Sequence, residues 1–171
     1  MARPSRGTQA VRALEKAGVA FGLHVYDYGG EKGGGEKGGG EKRAIGLEAA
    51  NALDLDPARV FKTLVAELDG DRLAMAIVPV AASLDLKALA RILDARRAAM
   101  ADVGRAERAT GYVKGGISPF GQKQALAAAL DMSALEHASI FVSGGKRGLE
   151  IEIAPDELRS FLDAKCAPIT R

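Results

Sequence analysis

Between Ser143 and Ile153 the chain packs a glycine-rich bend, Gly144-Gly145-Lys146-Arg147-Gly148, against a run from Leu149 to Ile153 in which apolar and acidic residues alternate. Glycines let a backbone approach a ligand closely and turn its N–H groups outward, and Lys146 and Arg147 beside them make a corner suited to phosphate. The same pattern also makes an ordinary basic hairpin turn. In the following strand the two-residue period puts Leu149, Ile151 and Ile153 on one face, with Glu150 and Glu152 pointing away from the core. Other polar residues interrupt apolar runs at Tyr26, Lys62 and Thr63, and a second glycine pair stands at Gly115-Gly116. Lys62, inside Val60-Phe61-Lys62-Thr63-Leu64-Val65, either snorkels from a sheet edge or faces a polar pocket. An unpaired buried ammonium would cost several kcal/mol or lose its proton.

Several chemistries lack the residues they need. There is no G-x-S-x-G elbow, and His24 and His137 carry no cysteine or carboxylate pattern of a triad; His24 reads as a surface or packing residue. No H-E-x-x-H or paired-cysteine motif is present, and Lys146 lacks the spacing of a P-loop, so neither a metal nor any other cofactor is expected. Cys166 is the only cysteine, which excludes an intrachain disulfide and fits a reducing compartment; an inert thiol is expected. Met1 to Gly7 holds two arginines with no apolar stretch behind them. No run reaches the roughly 18 apolar residues of a membrane span, so a soluble, cytoplasmic protein with no membrane partner is expected.

The 171 residues, 47% apolar, suffice for one domain with a core and are too few for two ordinary ones. Charge is spread unevenly: residues 81–150 hold ten Lys or Arg against seven Asp or Glu, whereas residues 1–80 hold eleven of each. That permits a local basic face for nucleic acid, but not the retention of a long duplex by charge alone.

The positioning elements follow from pattern. Ala10, Val11, Leu14 and Ala17 predict a helix over 7–17 that stops at Gly18, and Val19 to Tyr26 predict a strand with Val19, Phe21, Leu23 and Val25 inward and His24 and Tyr26 opposite. Residues 29–42 read GGEKGGGEKGGGEK, three copies of a unit with no apolar residue. A flexible linker is expected there, as natural expansion or engineered insertion. A helix near 45–53 precedes Asp56-Pro57, an N-cap followed by proline. Val60–Glu67 and Arg72–Val80 form a hairpin about Asp69-Gly70-Asp71. Ser83 caps a helix with a Leu84, Leu89, Ile92 and Leu93 stripe, and Asp102 opens another. There follow a loop and short strand over 111–117, a helix over 122–130, strands over 139–143 and 149–153, and a last helix opened by Pro155. Hairpins mixed with irregularly ordered helices make the fold α+β.

Three ordered motifs carry a resemblance: Phe61-Lys62-Thr63-Leu64; Thr110-Gly111-Tyr112-Val113-Lys114-Gly115-Gly116-Ile117-Ser118-Pro119-Phe120-Gly121; and Val142-Ser143-Gly144-Gly145-Lys146-Arg147-Gly148-Leu149. From about Thr8 to the last helix, the linker excepted, the chain resembles the YbaK family of aminoacyl-tRNA deacylases, relatives of the editing domain of bacterial prolyl-tRNA synthetases, and looks most similar to its free-standing Cys-tRNA(Pro) branch. The resemblance implies a single domain over 1–171, a mixed β-sheet curled towards a barrel and surrounded by helices. It implies hydrolysis of cysteine from proline tRNA with the substrate's own thiol as nucleophile, with deacylation of Ala-tRNA(Pro) or another small misacylated tRNA, and a non-catalytic tRNA-binding module, as alternatives. The implied partners are aminoacylated tRNA and prolyl-tRNA synthetase, with Arg91, Arg96 and Arg97 facing the acceptor stem. Carried over, Lys62 contacts the phosphate of the terminal adenosine, and Tyr26 and Thr63 line the aminoacyl pocket. Gly115 and Ser143 face the ester, Gly116, Gly144 and Gly145 allow close approach, and Lys146 and Arg147 supply charge. Glu150 stands where some members have aspartate, one methylene shorter.

Overall fold

A computed structural model describes residues 7–28 and 41–171. The Gly-Glu-Lys segment lies outside the described residues except for its last two, Glu41 and Lys42, which are not linker but the start of a helix. In chain order the elements are α1 (Gln9–Ala17), β1 (Gly22–Val25), α2 (Glu41–Ala52), β2 (Phe61–Leu68), β3 (Arg72–Pro79), α3 (Leu86–Ile92), β4 (Ala98–Met100), α4 (Val103–Thr110), β5 (Ala127–Asp131), β6 (Ile140–Ser143), β7 (Leu149–Ile153), α5 (Pro155–Leu162) and β8 (Lys165–Ala167), with 3-10 turns at Pro57–Arg59 and Met132–Glu136. Among these residues no helix is long and apolar enough to cross a membrane.

The α+β reading holds, with one refinement: the sheet does not close into a barrel. Three strands run β1-β7-β6 and five run β4-β2-β3-β5-β8. The two sheets meet where Val60 bridges Phe141 in parallel. Their inner faces share one core, in which Leu149, Ile151 and Ile153 from β7 meet Phe61, Met75, Ile77 and Leu130, closed by Leu14 of α1 and Leu158 of α5. Outside, α3 covers the five-stranded sheet through Leu89, and α2 packs Ala50 and Leu47 over Val60, Val80 and Phe141.

Local signals explain most elements. Thr8 caps α1 and Gly18 ends it at φ +69°; Asp102 caps α4. Asp69 (φ +54°) and Gly70 (φ +70°) make the left-handed two-residue turn that hairpin twist favours, joining β2 to β3. Four expectations fail. The stretch expected as a helix over 122–130 instead runs from Ala127 as β5, parallel to β3 and β8; strand pairing on both of its edges outweighs alanine's helix preference. The cap of α3 is Asp85, whose carboxylate accepts from the N–H groups of Lys87 and Ala88, not Ser83. No strand forms over 111–117, where Gly111 and Gly115 take positive φ and Gly116 N–H turns back to Val113 O. Val25 is 57% exposed rather than inward, because β1 is an edge strand whose end outruns the core.

The docking of α2 hangs on one glycine. A Cβ on Gly46 would lie 2.5 Å from Val80 Cγ1 and 2.8 Å from its Cβ. Alanine improves helix propensity by about 1 kcal/mol, but overpacking costs about 1–3 kcal/mol. Gly46→Ala is therefore expected to lower the melting temperature by about 2–4 °C; a rise in thermal denaturation would show that propensity wins and that α2 shifts freely.

Candidate functional site

Register places the sequence-derived residues relative to one another. Antiparallel pairing sets Ser143 opposite Glu150, and Glu150 opposite His24. The Val60–Phe141 bridge, continued two residues along both strands, sets Lys62 level with Ser143. Lys62, Ser143, Glu150 and His24 thus form a row across four strands on the outer face, the face that α2 covers beside it. Tyr26 follows two residues after His24 on the same face, its N–H donating to Gly148 O at 2.9 Å. Lys62 is half-buried with Nζ 3.5 Å from Val80 O, so its ammonium stays against the β3 end rather than snorkelling free. Thr63 leaves β2 on the opposite face, across from Ile77. Its hydroxyl is buried and, among the described residues, without a hydrogen-bond partner.

Glu150 departs from the sequence reading. It does point away from the main core, yet it is only 7% exposed. Its Oε2 is buried without a partner among the described residues, and burial pushes its carboxyl up to about 8. Tyr26 feels the same environment. Burial first, then the neighbouring Glu150, raises its phenol, while a hydrogen bond to the Gly148 backbone and the charge of Arg147 pull it down.

The two glycine segments face each other beside this row. A Cβ on Gly116 would fall 2.9 Å from Lys146 Cα, so only glycine lets the loops approach this closely. The exposed Arg147 reaches across, its Nε 2.8 Å from where a Cβ of Gly115 would sit. Gly145 takes φ +107° against Tyr112 and Thr8. Several loop amides are already engaged: Gly116 N–H binds Val113 O, Gly144 N–H binds Leu149 O, and Gly145 N–H binds Ser143 Oγ at 3.1 Å. Those three do not turn outward as the glycine pattern alone implied.

Sequence reasoning missed the residues that hold the loops. Thr8 Oγ1 accepts from Val11 N–H at the start of α1 and donates to Gly144 O at 2.6 Å. Tyr112 OH donates to Phe120 O, closing the loop between them, and burial raises that phenol to about 12. The sequence reading places the helix start near residue 7 without naming Thr8 as its cap, and the contact of Thr8 with a residue 136 positions away leaves no local signal.

A second polar cluster lies further along the outer face. Glu152 accepts from Ser139 Oγ, lies 2.9 Å from His24 Nε2 and 3.5 Å from an Arg59 nitrogen, and the Ser139 bond leads in holding its carboxyl below the usual range. This carboxylate sits between hydroxyl and imidazole. A nucleophilic triad needs the imidazole in the middle. Cys166 is half-buried on β8, its thiol raised chiefly by burial. Arg91, Arg96 and Arg97 are exposed at and beyond the end of α3. A groove of about 410 Å³ beside α4 contains Arg72, Arg105 and Arg108, but Arg105 is bound to Glu67 and Asp71 O, and Arg72 to Leu93 O.

Among the described residues the site brings together a cation, buried oxygens and two glycine loops, without a hydroxyl–imidazole pair. The chain matches the aminoacyl-tRNA editing domain over residues 42–161 and belongs to that family. It is 36% identical over 121 residues, 71% of this chain and 74% of the other, to a protein of Enterococcus faecalis provisionally named Cys-tRNA(Pro)/Cys-tRNA(Cys) deacylase EbsC. In fold it is similar to a crystal structure described provisionally as a trans-editing enzyme for prolyl-tRNA synthetase, at TM-score 0.80 and 22% identity over 100% of this chain and 99% of the other. A crystal structure of a hypothetical protein superposes at TM-score 0.79 with 18% identity, covering 96% and 100%. The protein is an aminoacyl-tRNA deacylase of the hydrolase class, and its substrate class is aminoacyl-tRNA.

Proposed function

We propose that the chain acts as one editing domain that removes cysteine from mischarged Cys-tRNA(Pro), and that its site is the outer-face row of Lys62, Ser143 and Glu150 with Tyr26 and the two glycine loops. The observation that carries this reading is the coincidence of a buried, partnerless carboxyl oxygen on Glu150 with a half-buried cation at the same strand level. The cysteinyl substrate named for the Enterococcus faecalis relative supports it. Lys62 holds the phosphate of the terminal adenosine. Tyr26 lines the aminoacyl pocket, and Thr63 adds a buried hydroxyl beneath it. Gly115 and Ser143 face the ester, Gly116, Gly144 and Gly145 keep the wall thin, and Lys146 and Arg147 supply positive charge at the rim.

With the ester aligned, the substrate thiol attacks the carbonyl carbon. A C–S bond forms, the ester C–O bond breaks, and the ribose oxygen leaves with the proton the thiol gives up, releasing tRNA and a cyclic thioester that water opens. Positioning an attached nucleophile gains effective molarity, and N–H or O–H donors at the oxyanion supply the rest. No enzyme nucleophile is needed. The reading takes tRNA identity from a partner, prolyl-tRNA synthetase in the cytoplasm, with Arg91, Arg96 and Arg97 towards the acceptor stem.

The test is loss of label from Cys-, Ser- and Ala-tRNA(Pro) at matched enzyme concentration. Rapid loss of the cysteinyl ester, with the serine ester at least about 100-fold slower because its hydroxyl is a poor nucleophile, is the expected result. Loss of the alanyl ester would move the specificity to small side chains and remove the thiol step. No loss of any ester would leave a binding module.

A further inference from the structure

Tyr28 is an exposed side chain at the mouth of the site that neither core packing nor the proposed chemistry uses. It lies two residues beyond Tyr26, is 39% exposed, and its Cδ1 sits 3.2 Å from where a Cβ of Gly148 would be. The ring therefore rests on the end of the glycine bend that carries the exposed Lys146 and Arg147. An aromatic ring propped on backbone next to two cations suits single-stranded nucleic acid, in which a base stacks while its phosphate meets the charge. Gly148 matters to this placement: a side chain there would push the ring off and would also meet Tyr26 O at 2.9 Å.

We propose that Tyr28 is the stacking platform for a base of the unpaired tRNA 3′ end, the nucleotide preceding the terminal adenosine, with Lys146 and Arg147 on its phosphate. This rests on the deacylase reading, which puts the terminal adenosine at Lys62 and so sends the remaining 3′ strand out past the glycine bend. Tyr28 is a positioning residue: it contacts no reacting atom. It lets the site hold the single-stranded end independently of the amino acid attached.

The experiment is a fluorescence anisotropy titration of an uncharged, fluorescein-labelled acceptor-stem minihelix ending in single-stranded CCA, against wild type, Tyr28→Ala and Tyr28→Phe at low salt. A second minihelix lacks the three 3′ nucleotides. Tyr28→Ala is expected to weaken binding of the CCA minihelix about ten-fold and Tyr28→Phe less than about two-fold, since stacking uses the ring and not the hydroxyl. All three proteins are expected to bind the shortened minihelix alike. Wild-type affinity in Tyr28→Ala for the CCA form would overturn the proposal, as would an equal loss on both RNAs. Ester hydrolysis by the wild type judges the deacylase reading separately, because the minihelix carries no ester.

Discussion

Glu150→Gln is expected to stabilise the protein by about 2–4 kcal/mol at pH 8 and to flatten its stability between pH 5 and 8. The wild-type carboxyl titrates near 8 in the fold, raised by burial from an ordinary 4.5. Below about pH 4.5 both folded and unfolded chains hold this proton, so the group exacts no penalty. As pH rises, the unfolded chain ionises and gains hydration that the buried carboxyl cannot match. Folding then loses about 1.4 kcal/mol per pH unit until the folded group also ionises, near pH 8, a total of at most about 5 kcal/mol. Glutamine has the same shape and no proton to lose. It brings an amide whose buried polar atoms need partners, which returns about 1–3 kcal/mol of the gain. Urea unfolding at pH 5 and pH 8 reads the difference directly. If the two proteins keep parallel stability curves, Glu150 is ionised in the fold and the account of its burial is wrong.

Such a carboxyl, kept at a stability cost, is where sequence and structure part company most usefully. The alternation of Leu149, Ile151 and Ile153 with Glu150 and Glu152 assigned both glutamates to one face. It did not say that Glu150 is buried while Glu152 stays half-exposed among Ser139, His24 and Arg59. Faces are local and follow from a two-residue period; what covers a face is decided by elements far along the chain. The same division runs through the fold. Caps at Asp56 and Asp102, the stop at Gly18, the Asp69-Gly70 turn and the last helix at Pro155 were legible because each depends on a few consecutive residues. The three-residue strands β4 and β8 have too little pattern to read, and β5 misled because its alanines favour a helix until sheet partners exist. Lys62 is marked out as a polar intrusion in an apolar run, and Ser143 and Glu150 by their place beside the glycine-rich bend. That they stand side by side needed a register, which pairing between residues 60 and 141 supplies.

That row gives Lys62→Ala the largest expected effect on activity: a fall in kcat/KM of about two orders of magnitude, with little change in folding. Truncating one partner of a desolvated charge contact costs about 2–5 kcal/mol in binding, and the phosphodiester proposed as the partner of Lys62 carries one negative charge. The lysine Nζ lies 3.5 Å from Val80 O at the end of β3, and the half-buried side chain stands outside the hydrophobic core, so the fold loses little. With Lys62 on the phosphate as proposed, and not on the reacting ester, the loss should appear mainly in KM, measured on matched aminoacyl-tRNA at subsaturating and saturating concentration. Lys62→Arg keeps the charge but spreads it over a wider planar fork, and should recover part of the affinity at unchanged kcat. A fall in kcat alone would place Lys62 at the ester rather than the phosphate. Equal kinetics for wild type and Lys62→Ala would remove it from the site, leaving the outer face to Tyr26, Ser143 and Glu150.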